Sequence, residues 1–244
     1  PGYGVDILEL CGGEGLPGRI AVRRHMTSGG NFDIVCDCDL NSPQTQKEVM
    51  NYIERCRPLV IVMSPVCTPF SKPARFNKVR NPEAWQRSYQ NAAPHGRFCG
   101  RVALHQLQAG RHYFLEQPEG STLVEEDPWP EVCAHPSTTL VKIDQCATGK
   151  RGLDGLLARK TTELRMSHKT LAEPFRNLRC NGRHQHSNTE GGRNTAHLAQ
   201  WTYDFASRVV DGIQRLKKVQ KKGEHMGAIP ERAYPSVATE PRVG

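Results

Sequence analysis

Apolar and polar positions along the chain fall into short segments of two kinds. "YGVDILEL" (3–10) alternates and is rich in β-branched residues, so it reads as a strand. "CGGEGLPG" breaks it, and "RIAVRRHM" then has helical spacing. "NFDIVCDCDL" (31–40) reads as a second strand that ends in acids. "SPQTQKEVMNYIERC" has a cap serine, an early proline and apolar residues at helical spacing, which predicts a helix. "PLVIVM" (58–63) is a continuous apolar run, the pattern of a strand buried on both faces.

Residues 71–96 are basic and poor in periodicity, and they predict a long loop with one helical turn near "PEAWQRSYQNA". "GRFCGRVALHQLQAG" predicts a helix ended by Gly110, and "RHYFLEQP" the next strand. "STTLVKIDQ" and "TELRMSH" are two further strands around a glycine-rich basic loop. "TAHLAQWTYDFASRVVDGIQRLKK" is one long amphipathic helix.

Strands alternating with helices define an α/β fold: a mostly parallel central sheet with helices on both faces. Residues 1–216 form the expected domain, with a short Cys/His-rich stretch at 174–195. Residues 217–244 read as a basic-to-polar disordered tail or linker. In such sheets ligands bind beyond the carboxyl ends of strands. Three segments converge there: "CGGEG", "SPVCTPFS" and "EQP".

Charge sharpens the picture. The net charge is +8. Residues 150–222 carry 16 Lys+Arg against 6 Asp+Glu, and residues 71–101 carry 7 against Glu83 alone. Two basic patches point to a polyanionic partner, most simply nucleic acid; a solvated surface is the bland alternative. No apolar run is long enough to span a membrane. Nine cysteines without framework spacing imply reduced thiols in an intracellular compartment. The chain starts at Pro1, so a piece cut from a longer polypeptide is expected.

The chemistry starts at Cys67, fixed just past a buried strand. Lys72 and Arg75 follow, and nearby cations lower a thiol pKa. Glu116 ends another strand, where burial makes a carboxyl an acid or a hydrogen-bond acceptor. Glycines after the first strand let a ligand approach the backbone, while Glu14 in that turn disfavours a phosphate. Asp37 and Asp39, taken as the end of the second strand, suit ribose hydroxyls. Cys180, His184 and His186 are three zinc-type ligands within seven residues, with Cys146 the guess for a fourth. A zinc knot in place of a core, or a solvated His-rich loop facing nucleic acid, both fit that pattern.

The order of these motifs resembles the cytosine carbon-5 DNA methyltransferases, a branch of the S-adenosylmethionine-dependent class I, Rossmann-type fold. Glu9-Leu10-Cys11-Gly12-Gly13-Glu14-Gly15-Leu16 is similar to the family's first motif. Pro65-Val66-Cys67-Thr68-Pro69-Phe70-Ser71 is similar to its catalytic cysteine motif, with Val66 and Thr68 where the family has Pro and Gln. Glu116-Gln117-Pro118 is similar to its Glu-Asn-Val motif, and Gln145 with Arg159-Lys160 loosely echoes its Gln-x-Arg-x-Arg motif.

The resemblance covers roughly residues 5–213. It implies Cys67 as the nucleophile toward carbon 6 of a flipped-out cytosine, Glu116 at ring nitrogen 3, and Arg159 on the nucleotide. It implies S-adenosylmethionine held by Glu9, Cys11, Gly13, Gly15, Asp39 and Pro65. Lys72, Arg75, Lys78, Arg80 and Lys160 would face nucleic acid, DNA ahead of RNA. The stretch where the family carries a target-recognition domain is short here, so the chain is a minimal form. The alternative is a catalytically decayed nucleic-acid-binding module of the same fold within a mobile-element polyprotein. A cysteine hydrolase would need His95, His105 or His112 as partner to Cys67.

Overall fold

The structure, a computed structural model, describes residues 3–189 and 192–227. Six strands form one sheet: β1 (Val5–Leu10), β2 (Ser28–Phe32), β3 (Pro58–Met63), β4 (His112–Pro118), β5 (Thr139–Asp144) and β6 (Thr161–Met166). Their order is β2-β1-β3-β4-β6-β5. Strands β1 to β4 pair in parallel, and β6 runs antiparallel to both β4 and β5. This mixed, mostly parallel sheet with helices on both faces is the class I methyltransferase-like, Rossmann-type arrangement expected.

The continuous apolar run of β3 is explained by two covered faces. On one face Val60 and Val62 pack with Ile7, Phe114, Leu164 and Met166 against α1 (Leu16–Arg23), α6 (Lys169–Ala172) and α8 (Tyr203–Gly227). On the other, Ile61 and Met63 pack with Leu8, Leu10, Tyr113 and Leu115 against α2 (Pro43–Cys56), α4 (Pro82–Gln108) and α5 (Trp129–Ala134). Ser42 caps α2, its Oγ accepting from the Thr45 amide at 3.3 Å.

Four expectations are corrected. Strand β2 ends at Phe32, and Ile34 and Val35 sit in a 3-10 turn with 67% and 65% of their surface exposed. Asp37 and Asp39 therefore do not end a strand; Asp33 follows it directly. Residues 71–96 are helical: α3 (Lys72–Arg80) leads into α4, whose cap is Asn81. The apolar period was invisible there because α3 buries only Ala74, and because Pro94 lies inside α4.

The closing helix is two. A short α7 (Gly192–Ala199) precedes α8, and Gln200, Trp201 and Thr202 separate them. Thr202 Oγ1 accepts from the Phe205 amide at 3.1 Å and donates to the Thr148 carbonyl at 3.0 Å. Helix α8 runs on to Gly227, so the boundary at 217 falls within it: Leu216 is buried, and Lys217 reaches the buried Asp6 at 2.7 Å. Residues 228–244, the rest of the expected tail, lie outside the described residues. No helix among the described residues is long and apolar enough to cross a membrane, and all nine cysteines are free.

Candidate active site

The carboxyl ends of β3 and β4 lie side by side, because Met63 pairs with Leu115. Ser64, Pro65 and Cys67 therefore follow one strand beside Glu116 and Gln117 on the next. Ser64 Oγ donates to Glu116 Oε2 at 2.8 Å, and Gln117 Nε2 donates to the Pro65 carbonyl at 2.8 Å. These two bonds fix the backbone that carries Cys67.

Glu116 is 3% exposed, and both of its oxygens accept hydrogen bonds. Its Oε1 accepts from Lys160 Nζ at 3.2 Å and from Gln145 Nε2 at 3.3 Å. Gln145 also donates to Thr162 Oγ1 at 2.9 Å, which holds the amide in place. The two halves of the loosely echoed motif, Gln145 and Lys160, thus meet on the predicted acid. Lys160 belongs to this buried cluster rather than to an open basic face. Burial works against its charge, but Glu116 and Cys67 outweigh that and raise its pKa.

The thiol differs from expectation. Burial pushes the Cys67 pKa up; Lys160 pulls it down and Glu116 pushes it up. The cation acting on it is Lys160. Lys72 is paired with Glu119 at 2.7 Å, and Arg75 donates to the Gly120 carbonyl at 3.3 Å. Lys78 lies over the Trp85 ring at 4.6 Å. Lys72, Arg75, Lys78 and Arg80 share α3 with Phe76 and Val79, which are 69% and 83% exposed. Arg159 is half exposed, its Nε 3.6 Å from Asp144 Oδ1. The hydrolase partners are engaged elsewhere: His95 with Asn41, His105 with Arg111, His112 with Ser167.

The glycine turn after β1 has a second buried carboxyl. Glu9 Oε1 accepts from the Gly18 amide at 2.7 Å, while Oε2 is buried without a hydrogen-bond partner. Burial, opposed by the Gly18 bond and Arg19, raises the Glu9 pKa to about 7. Asn31 Nδ2 donates to the Gly13 carbonyl at 2.7 Å, which leaves its Oδ1 buried and unpartnered too.

Both orphan acceptors lie 2.7 Å from where a Cβ on Gly12 would stand. Gly12 is thus kept free of a side chain by space. Gly13 and Gly15, named from the sequence, need their positive φ of 56° and 65° instead. Two buried acceptors without donors suit a ligand that presents an ammonium group. Asp33, missed in the sequence, accepts from the Gly13 amide at 2.8 Å and so shapes the same turn. Asp39 is exposed, and its side chain accepts from the Asn41 amide at 2.9 Å. Cys11 packs on the core beside Cys99, whose hydrogen bond, with burial, pushes its pKa up.

The Cys/His stretch meets the guessed fourth residue. The ligand atoms of Cys146, Cys180, His184 and His186 all lie within 4.8 Å of one another, a set that could hold a metal.

No family model and no curated protein matches the sequence. Among solved structures, the chain is distantly similar to the S. pombe Dnmt2 methyltransferase, with 14% identity and a TM-score of 0.39. The match covers 66% of this chain and 48% of that one, so the chain spans about half its length.

Proposed function

We propose that this chain is an S-adenosylmethionine-dependent methyltransferase acting on carbon 5 of cytosine in nucleic acid, with DNA the expected substrate. The observation that carries the reading is the buried Glu116 beside Cys67, with Lys160 bonded to the acid and acting on the thiol. In this reading a cytosine ring would present its carbon 6 to the Cys67 thiolate and its nitrogen 3 to Glu116. Attack by sulfur forms the S–C6 bond and shifts the C5–C6 electron pair toward C5. Glu116 would hydrogen-bond or protonate nitrogen 3 and so offset the charge that develops on the ring. Once C5 has taken the methyl that S-adenosylmethionine would supply, with S-adenosylhomocysteine as the leaving group, transfer of the C5 proton to water would restore the C5–C6 double bond and expel Cys67 as its thiolate. Lys160 stabilises the thiolate before attack.

S-adenosylmethionine would supply an electrophilic methyl, with Glu9, Asn31 and the Gly12–Gly15 turn as the residues to hold it. Helix α3, basic with two exposed apolar side chains and one buried residue, faces the polyanion. Chemistry on a base requires its removal from the stack, so an adaptable basic element beside the nucleophile fits the task.

The second reading is a decayed nucleic-acid-binding module, and the raised Cys67 pKa favours it. Incubation with S-adenosylmethionine and an oligonucleotide containing 5-fluorocytosine, read by intact mass, separates the two. A covalent adduct lost in Cys67→Ser supports the enzyme. No adduct on DNA or RNA, with cofactor still bound, supports the module and sinks the enzyme.

A further inference from the structure

Residues 176–189 contain no helix and no strand, only an isolated bridge at His186, yet this segment is tied to the catalytic face. The Cys180 amide donates to the buried Asp144 Oδ2 at 2.9 Å, and Asp144 also pairs with Arg159 and Arg179. The Asp144 amide donates to the Leu178 carbonyl at 2.8 Å. Leu157 bridges His186, and the Ser187 amide donates to the Leu157 carbonyl at 2.8 Å. Three irregular pieces therefore meet: the 3-10 turn Gln145–Thr148, the loop through Leu157, and residues 178–187. At the centre of this junction stand Cys146, Cys180, His184 and His186.

We propose that these four side chains bind one Zn²⁺ as a structural site, and that the metal holds the turn carrying Gln145 in register with Glu116. The distances fit. Tetrahedral zinc with bonds of about 2.3 Å to sulfur and about 2.0–2.1 Å to nitrogen separates S and N ligands by about 3.6 Å. Cys180 Sγ lies 3.3 Å from His186 Nε2 and 3.7 Å from His184 Nε2. Two thiolates, two imidazoles and no carboxylate select zinc over magnesium or calcium. Four protein ligands leave no open position, so the site is structural rather than catalytic.

Cys146 directly follows Gln145, whose amide donates to Glu116 Oε1. A metal on Cys146 therefore limits the motion of the residue that orients the acid. The metal also cross-links a segment that has no helix or strand of its own.

The test uses the full chain, purified without chelator and analysed by elemental mass spectrometry. One zinc per chain is expected in wild type and in the control Cys133→Ser, and its loss in Cys146→Ser and in His186→Ala. Cobalt in place of zinc should give the ligand-field bands of a tetrahedral thiolate site. If Cys146→Ser fails to fold, His184→Cys keeps four ligands and should retain metal with a more sulfur-rich cobalt spectrum. Chelation should raise hydrogen exchange in 145–148 and 176–189 while leaving β3 unchanged. Substoichiometric zinc with no tetrahedral cobalt spectrum overturns the site. Bound zinc whose removal leaves exchange in 145–148 unchanged overturns its positioning role. Neither readout depends on methyl transfer, so failure here is distinguishable from failure of the proposed activity.

Discussion

Glu9→Gln is expected to make the protein more stable above neutral pH and worse at holding its ligand. The buried carboxyl has a folded pKa of about 7 against an ordinary 4.5, and burial is the main cause. A carboxyl raised on folding binds more protons in the native state than in the unfolded one. Its stabilising protonated form is fully present below about pH 4.5. Stability is lost as pH rises from there through about 7.

At 1.36 kcal/mol per pH unit, the charged form costs about 3 kcal/mol once pH exceeds 7. Glutamine keeps the acceptor for the Gly18 amide and carries no charge, so that cost disappears. Urea unfolding followed by circular dichroism at pH 5 and pH 8 measures it. The variant should gain about 2–3 kcal/mol on wild type at pH 8 and little at pH 5. Equal destabilisation of the variant at both pH values would refute the assignment of a strained carboxylate.

The ligand side gives the opposite sign. Glu9 Oε2 and Asn31 Oδ1 are the unpartnered acceptors beside Gly12. An ammonium group bound there favours ionised Glu9, so binding near pH 7 should release a proton. Calorimetry with S-adenosylmethionine in two buffers of different ionisation enthalpy detects it. In Glu9→Gln both the proton release and most of the affinity should vanish. A residue that stabilises by being replaced, yet is needed for binding, is the mark of a site kept for function.

Two further outcomes are expected. Lys160→Met removes the cation that lowers the Cys67 pKa, so the pH midpoint of iodoacetamide alkylation at Cys67 should move upward; an unchanged midpoint would place the lysine's influence elsewhere. Reversing charge on α3 with Arg75→Glu and Arg80→Glu should weaken DNA binding and flatten its dependence on salt concentration, and an unchanged slope would remove α3 from the interface.

Strand β3 and the acid Glu116 were legible because burial on both faces leaves a continuous apolar run and because the sheet puts strand ends together. What the sequence hid was of another kind. Gly12 looks like its neighbours until Asn31 and Glu9 are placed against it. Asp33 was passed over because Ile34 and Val35 seem to extend the strand; their exposure shows that hydrophobic residues outside the ladder carry no register. Helix α3 has no apolar stripe to read, since only one of its side chains is buried.

Lys160 and Arg159 are adjacent basic residues that no pattern separates, and one residue of offset at the start of β6 decides which reaches Glu116. The sequence distance from Glu116 to Lys160 is 44 residues, and only the antiparallel pairing of β6 with β4 closes it. The same pairing sets Thr162 opposite Pro118 and brings Gln145 in through Thr162. The acid is thus held by residues from three segments whose meeting is a property of the sheet order. A chain that shares the local motifs but not that order would lack the cluster. The antiparallel β6 is therefore the part of the fold on which the proposed chemistry depends most directly.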